Sequence, residues 1–479
     1  MPKMNTVKEN NISIKLNYLY NLIYQILGML IPLITTPYVS RILGASQIGE
    51  YTYALSIVTY FNLISNMGLG TYAQLEIAKN RNDKKYIKSF FSEILLCKLL
   101  LSVLALLFYT FYVLNIRNVL CFILYLPILT SLIDISWLFQ GLEQFKIIVI
   151  RNIIIKFACL VLIFCFVKKQ SDLVIYALIL QGSALLGNAT FWFHQKHFDF
   201  KYIKCNKIFK HLRNGITYFI PTIALTIYSM MDASMLGWIG KESAEIGYYE
   251  QAHKIERVVV AILTSLSTVM LPRMAFLHQT ASSEEVIKKI KQSLCFISLI
   301  GWPLSVGTFA ISDILVPIFL GANYEKSVVL LRIFSILIII VGLNNIIGTQ
   351  CLMSGGKQKK YNYSVIIGAL LNLLLNVILI PVFSSIGAAI ASVFGEFVIL
   401  LMFLYFSHKL IKIKSFIFIN LPFIILSVIM GIIIYWMKKY LTCSIQSLII
   451  IFIVAFLFYS SVIFGVFITM KKIRRKDKK

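Results

Sequence analysis

The chain has 479 residues, 59% of them hydrophobic and only 14% charged, with a mean hydropathy of +0.82 and a formal net charge of +26. A water-soluble domain cannot hide that much apolar surface, and apolar runs of about 20 residues recur along the chain, which reads as many transmembrane helices. The positive charge would suit nucleic acid in a soluble protein, but here it gathers in the short segments between apolar runs, as in cytoplasmic loops.

The first apolar run lies near 16–40 and is too long for the core of a cleavable signal; no A-x-A site follows it. Asn17, Asn21 and Gln25 recur at a spacing of four along it and so share one stripe. That stripe suits helix–helix hydrogen bonding and a sugar-bearing cavity equally well. The run ends in IPLITTPYVSRILG (Ile31–Gly44). Pro32 and Pro37 there each remove a backbone hydrogen bond, which makes either a static kink or a bendable gate. Arg41 stands where this end meets water, to snorkel or to face the mouth of a cavity.

Thirteen further runs follow near 51–69, 87–112, 118–140, 147–167, 172–193, 214–239, 246–272, 288–310, 327–353, 361–381, 386–407, 416–436 and 445–470. The great majority of the 46 Lys and Arg fall in alternate loops, which puts both termini in the cytoplasm. The tail KKIRRKDKK (Lys471–Lys479) then acts as an anchor at an anionic leaflet. The longest inner segment is the basic stretch His194–Gly215, read as an inter-lobe linker. The longest outer loop is expected around Ile311–Lys326.

An internal repeat crosses that linker. Leu43–Ala54 (LGASQIGEYTYA) resembles Ile239–Ala252 (IGKESAEIGYYEQA), with Gly49, Tyr51 and Ala54 falling on Gly247, Tyr249 and Ala252. Gln140–Lys146 (QGLEQFK) resembles Ser354–Lys360 (SGGKQKK) at the matching turn. An even number of spans separates the copies, so the halves run parallel, as in transporters built from parallel repeats. The expected organisation is all-α and integral to the membrane. It comprises a lobe at 1–210 (spans 1–6), a lobe at 211–410 (spans 7–12), and at 411–479 an added helix pair with the basic tail.

Ionisable groups inside spans are costly and face a cavity or a partner. Arg41, Lys98, Lys156, Lys254 and Arg332 are candidates for a cationic cavity that takes an anionic head group; snorkelling and inter-helix pairing are the alternatives. Asp232 and Glu396 are candidates for protonatable, ion-coupling carboxylates, with packing duty as the alternative. The eight cysteines and six histidines are scattered, which supports no disulfide framework and no metal site. No G-x-x-x-x-G-K-[ST] and no H-E-x-x-H occurs, so neither a cofactor nor an enzyme is expected.

Three blocks carry a family resemblance. They are NLIYQILGMLIPLITTPYVSRILGASQIGEYTYALSIVTYF (Asn21–Phe61), DISWLFQGLEQFKIIVIRNIIIK (Asp134–Lys156), and MDASMLGWIGKESAEIGYYEQAHKI (Met231–Ile255) followed by TVMLPRM (Thr268–Met274). In order and spacing the chain resembles the Wzx-type flippases of bacterial O-antigen and capsular polysaccharide repeat units. These belong to the MATE-like multidrug/oligosaccharidyl-lipid/polysaccharide exporter superfamily. The resemblance implies fourteen spans in two lobes set in a V, with two extra C-terminal helices, in the bacterial cytoplasmic membrane. It implies an undecaprenyl-diphosphate-linked oligosaccharide as cargo, moved to the outer leaflet by alternating access, and a proton or sodium gradient as the drive. Implied partners are membrane lipids, a polysaccharide polymerase and a chain-length regulator, with no nucleic acid. The sequence departs from the pattern after Asp232, where Ala233 and Ser234 stand in place of the basic residue common in relatives. Competing expectations are a lipid II flippase, a MATE-type small-molecule exporter and, in a different class, a polytopic polysaccharide polymerase. The last needs a large outer loop.

Overall fold

A computed structural model of the chain describes residues 4–116, 118–195, 207–240 and 242–476. Every regular element among them is helical. Hydrocarbon offers no partner to a backbone N–H or C=O, so a spanning segment must bond to itself, and a helix does so. In chain order the helices are α1 (Met4–Asn66), α2 (Leu69–Lys79), α3 (Lys84–Ile116), α4 (Val119–Ile123), α5 (Tyr125–Ile133), α6 (Ser136–Gly141), α7 (Phe145–Phe166) and α8 (Leu173–Trp192). They continue as α9 (Ile208–Met235), α10 (Ser243–Thr280), α11 (Ser283–Phe319), α12 (Glu325–Ile346), α13 (Gln358–Phe406), α14 (Ile413–Lys438) and α15 (Ile445–Lys476). Single π turns extend α9 over Leu236–Gly240 and α12 over Ile347–Met353.

Ten helical stretches among the described residues are long and apolar enough to cross a membrane. The expected apolar runs all fall on helices, but not one run to one helix. α1 carries the first two runs and is broken at Gly44, whose φ of 74° and ψ of 169° glycine adopts without a Cβ clash. α13 carries the eleventh and twelfth and is broken at Ser384 (φ 50°, ψ −128°). The backbone keeps helical dihedrals through Pro32 and Pro37 and leaves them at Gly44. One expectation is corrected here. The outer loop expected around Ile311–Lys326 is mostly helix: apolar Ile314–Phe319 extends α11, and only Leu320–Tyr324 separates it from α12.

The chain divides into two compact units, Met1–Gly237 and Trp238–Lys479. The sequence places the boundary at the linker, whereas compactness puts α9 in the first unit, because α9 packs on α1, α2 and α3. Two glycines permit that packing. Gly68 starts α2 with φ of 70°, and a Cβ there would run into the carbonyl oxygen of Gly215 in α9. A Cβ on Gly215 would in turn stand 2.9 Å from the Met67 carbonyl oxygen.

Polarity within each unit is distributed as lipid requires. Large apolar side chains point outward (Leu107 is 65% exposed and Phe111 74%), while hydroxyls lie inside. Lipid tails are as apolar as leucine, so close packing and inter-helix hydrogen bonds hold such helices together. In unit 1, Ser65 of α1 hydrogen-bonds Ser102 of α3 at 2.7 Å and donates to Ser131 of α5 at 3.0 Å. These buried serines fasten three helices.

Candidate functional site

In unit 1, Lys98 sits on α3, fully buried, and its Nζ donates to the carbonyl oxygen of Asp134 at 2.8 Å. That carbonyl lies in the break between α5 and α6, where the helical ladder is interrupted. Trp137 Nε1 donates to the same oxygen at 3.1 Å, and Asp134 Oδ1 accepts from the Ser136 amide at 2.9 Å. Lys98 therefore shapes the α5–α6 corner from inside the unit. A hydrogen bond from a charged donor of this kind contributes about 1.5–3 kcal/mol.

Lys156 is half-buried on α7 and faces α1, its Nζ 3.6 Å from where a Gly28 Cβ would stand. Pro32 has no N–H to give the Gly28 carbonyl four residues back, so the ammonium lies beside backbone that the proline has left under-bonded. Arg41 is exposed, three residues before the break at Gly44, and Pro32 is exposed while Pro37 is half-buried. Thr35, between the prolines, donates its hydroxyl to the Ile31 carbonyl at 3.0 Å. Asp232 is buried near the end of α9. The side chains of Asn17, Asn21 and Gln25 lie outside the described residues.

In unit 2, Lys254 is half-buried on α10. Around it on the same helix, His253 Nε2 lies 3.4 Å from Glu256 Oε2, and Arg257 lies 3.9 Å from Glu250. Glu396 of α13 accepts from Asn344 Nδ2 of α12 at 2.7 Å through Oε2 and at 2.9 Å through its backbone oxygen. Arg332 lies elsewhere: its Nε donates to Ser312 Oγ at 3.0 Å, and Nη2 stands 3.5 Å from Asp313. Lys438 of α14 reaches the same carboxylate at 2.7 and 2.6 Å and the Ala310 carbonyl at 2.7 Å. One aspartate of α11 thus ties α14 and α12 together.

The candidates do not form one cluster within either unit. Lys98 and Lys156 have separate surroundings, as do Arg332 and Glu396. Several polar groups outside the candidate set are better connected. Glu93 is 2% exposed on α3; its Oε2 meets His211 Nε2 of α9 at 2.8 Å, and Oε1 accepts from Ser89 at 2.9 Å. His211 Nδ1 is 3.1 Å from the Tyr72 hydroxyl, which also accepts from Asn214 at 3.1 Å. In unit 2, Glu245 is paired with Lys326 at 2.5 Å and bonded by the Ser385 amide at 3.2 Å and hydroxyl at 2.5 Å, just past the break in α13. A lone carboxylate beside a proposed loop carried no distinguishing pattern. Its value comes from partners 81 and 140 residues away.

The repeat, by contrast, has a structural counterpart. Tyr51 accepts from Gln181 of α8 at 2.7 Å in unit 1, and Tyr249 hydrogen-bonds Ser392 of α13 at 3.3 Å in unit 2. Matching tyrosines therefore join the second and sixth expected spans of each half.

Comparison with known proteins agrees with this architecture. The family model described as polysaccharide biosynthesis protein matches residues 14–278, and the MatE model matches 219–378. The chain is 28% identical to a putative O-antigen transporter of Escherichia coli (strain K12), over 84% of this chain and 98% of that one. It is 22% identical to the capsular polysaccharide biosynthesis protein CapF of Staphylococcus aureus, over 82% and 99%. Among solved structures, the lipid II flippase MurJ in an inward closed conformation superposes with a TM-score of 0.71 at 18% identity, covering 95% of this chain and 99% of that one. An inward-facing multidrug resistance MATE family transporter gives 0.61 at 12% identity, over 79% and 94%. The chain belongs to the polysaccharide biosynthesis protein family and is a Wzx-type transporter of the multidrug/oligosaccharidyl-lipid/polysaccharide exporter superfamily, not an enzyme.

Proposed function

We propose that the protein flips undecaprenyl-diphosphate-linked oligosaccharide repeat units from the cytoplasmic to the outer leaflet of a bacterial cytoplasmic membrane, for the synthesis of a surface polysaccharide. The observation that carries this reading is the correspondence with an O-antigen transporter along 98% of that protein's length. The chemistry supports it. Lys156 and Lys254 are half-buried ammonium groups within membrane-crossing helices, suited to a diphosphate. The short α11–α12 connection leaves no room there for the outer domain a polymerase needs. Loop charge supports both termini in the cytoplasm. Asp232 and Glu396 are the carboxylates through which a proton or sodium gradient would couple.

Deleting the gene tests this directly. Lipid-linked repeat units accumulate on the cytoplasmic leaflet while surface polymer disappears; repeat units reaching the outer leaflet at the normal rate contradict the reading. Lys156→Ala and Lys254→Ala lower export while protein level in the membrane holds. Unchanged export with both lysines replaced removes them from the cargo path.

A further inference from the structure

We propose that a cavity at the basic end of unit 1 holds the phosphate head group of an anionic phospholipid. This inference does not rest on the identity of the cargo. The cavity measures about 390 Å³ and lies where three connections meet: the start of α3, the α6–α7 turn and the end of α8. Lys84 and Lys88 are one helical turn apart on the same face of α3 and line one wall, with Gln144 and His194 on the others. Leu138, Phe139 and Leu142 also line it, and the first two are almost wholly buried.

Among the described residues no carboxylate lines the cavity, and Glu76, Asp83 and Glu143 are engaged elsewhere. Asp83 accepts from the amides of Lys85 and Tyr86 at 3.0 Å and so caps α3. Glu143 pairs with Arg81 at 3.3 Å, and Glu76 with Lys79 at 2.8 Å. The Arg81–Glu143 pair also links the α2–α3 turn to the α6–α7 turn. The lysines thus present uncompensated positive charge over an apolar lining. Leu138 and Phe139 are already covered by unit 1, so half-buried Leu142 is the apolar contact left to a ligand. The lysines stand at the end of a membrane-crossing helix, where a phospholipid brings its phosphate and chain together. Phe193, next in sequence to His194, is 86% exposed, as aromatic side chains at head-group depth commonly are.

The test is native mass spectrometry of the full chain in detergent, titrated with phosphatidylglycerol or phosphatidylcholine. Wild type retains phosphatidylglycerol in preference to phosphatidylcholine. Lys84→Gln with Lys88→Gln weakens that retention about tenfold, and the arginine pair at the same positions restores it. Lys412→Gln with Lys414→Gln, a basic pair outside the cavity, leaves retention unchanged. Gln144→Glu, which keeps both lysines and adds a carboxylate to the wall, weakens binding in the same direction. Equal loss from either lysine pair, or no loss from Lys84 and Lys88, overturns the proposal. Displacement of phosphatidylglycerol by millimolar inorganic phosphate assigns the cavity to a soluble anion instead. Displacement by undecaprenyl diphosphate at equal mole fraction makes it an entry point for cargo, which also overturns the phospholipid assignment.

Discussion

The α7–α8 pair of unit 1 and the two halves of α13 in unit 2 occupy the same place in the internal repeat, yet they are held by different chemistry. Between α7 and α8, Arg151 Nη1 donates to Asn188 Oδ1 at 3.0 Å and its guanidinium lies 4.1 Å from the centre of the Phe191 ring. Gly187 makes room for it, since a Cβ there would stand 2.9 Å from Nη1. Within α13 the seam is made of small residues. A Cβ on Gly368 would stand 3.0 Å from the Gly395 carbonyl oxygen, and one on Gly395 would lie 3.1 Å from Asn372 Cβ. A short chain of amides and hydroxyls, Asn376 to Asn372 at 3.2 Å and Asn372 to Ser392 at 3.3 Å, completes it. The duplicated architecture thus constrains where helices meet and leaves free how they are bonded. The α7–α8 seam of unit 1 relies on a long charged side chain, and this seam of unit 2 relies on close backbone approach.

Substitutions that remove one kind of bonding sharpen this contrast. The largest effect is expected at the charged lock of unit 1. His211→Ala leaves Glu93 buried, with Ser89 and with Lys207 at 3.6 Å, and destabilises the protein by about 3 kcal/mol in thermal unfolding. Adding Glu93→Gln recovers part of that loss, because the stranded charge is gone; a strictly additive double variant shows that the two residues are not coupled. Next, Arg151→Ala costs about 2 kcal/mol through the lost charged hydrogen bond and ring contact. Arg151→Lys restores little, because an ammonium lacks the planar fork.

In unit 2 the corresponding break is steric. Gly395→Ala overpacks the α13 seam and costs about 1–2 kcal/mol, whereas an alanine that raised the melting temperature would show that the seam has slack. The smallest effect belongs to Lys438→Met. Its partner Asp313 is 39% exposed and keeps Arg332, so about 1 kcal/mol is expected. The diagnostic readout there is easier proteolysis of the segment between α14 and α15.

These contrasts mark what could be read in the chain alone. Helix positions were legible because apolar runs in a bilayer leave the backbone little choice, and the internal repeat was legible through Tyr51 and Tyr249. Helix ends were less so: Asp313 looks like a loop residue until Lys438 is seen to neutralise it from α14. Lys98 could be recognised as a buried cation, but its partner is a backbone carbonyl exposed by a helix break that no side-chain pattern announces. Glu93 stands out as an acid inside a span, but its partner His211 is 118 residues away and is found only because α9 lies against α3. Residue type pointed to buried charge, and only the packing identified its partners.

The central claim, that the chain moves lipid-linked repeat units across a bilayer, is tested most directly in vesicles. The purified full chain is reconstituted with an undecaprenyl-diphosphate-linked oligosaccharide bearing a labelled sugar, and an impermeant glycosidase is added outside. Label accessible only from the inner leaflet becomes cleavable over time in protein-containing vesicles and far more slowly in empty ones. Cleavage that plateaus at the outer-leaflet fraction in both would contradict the claim.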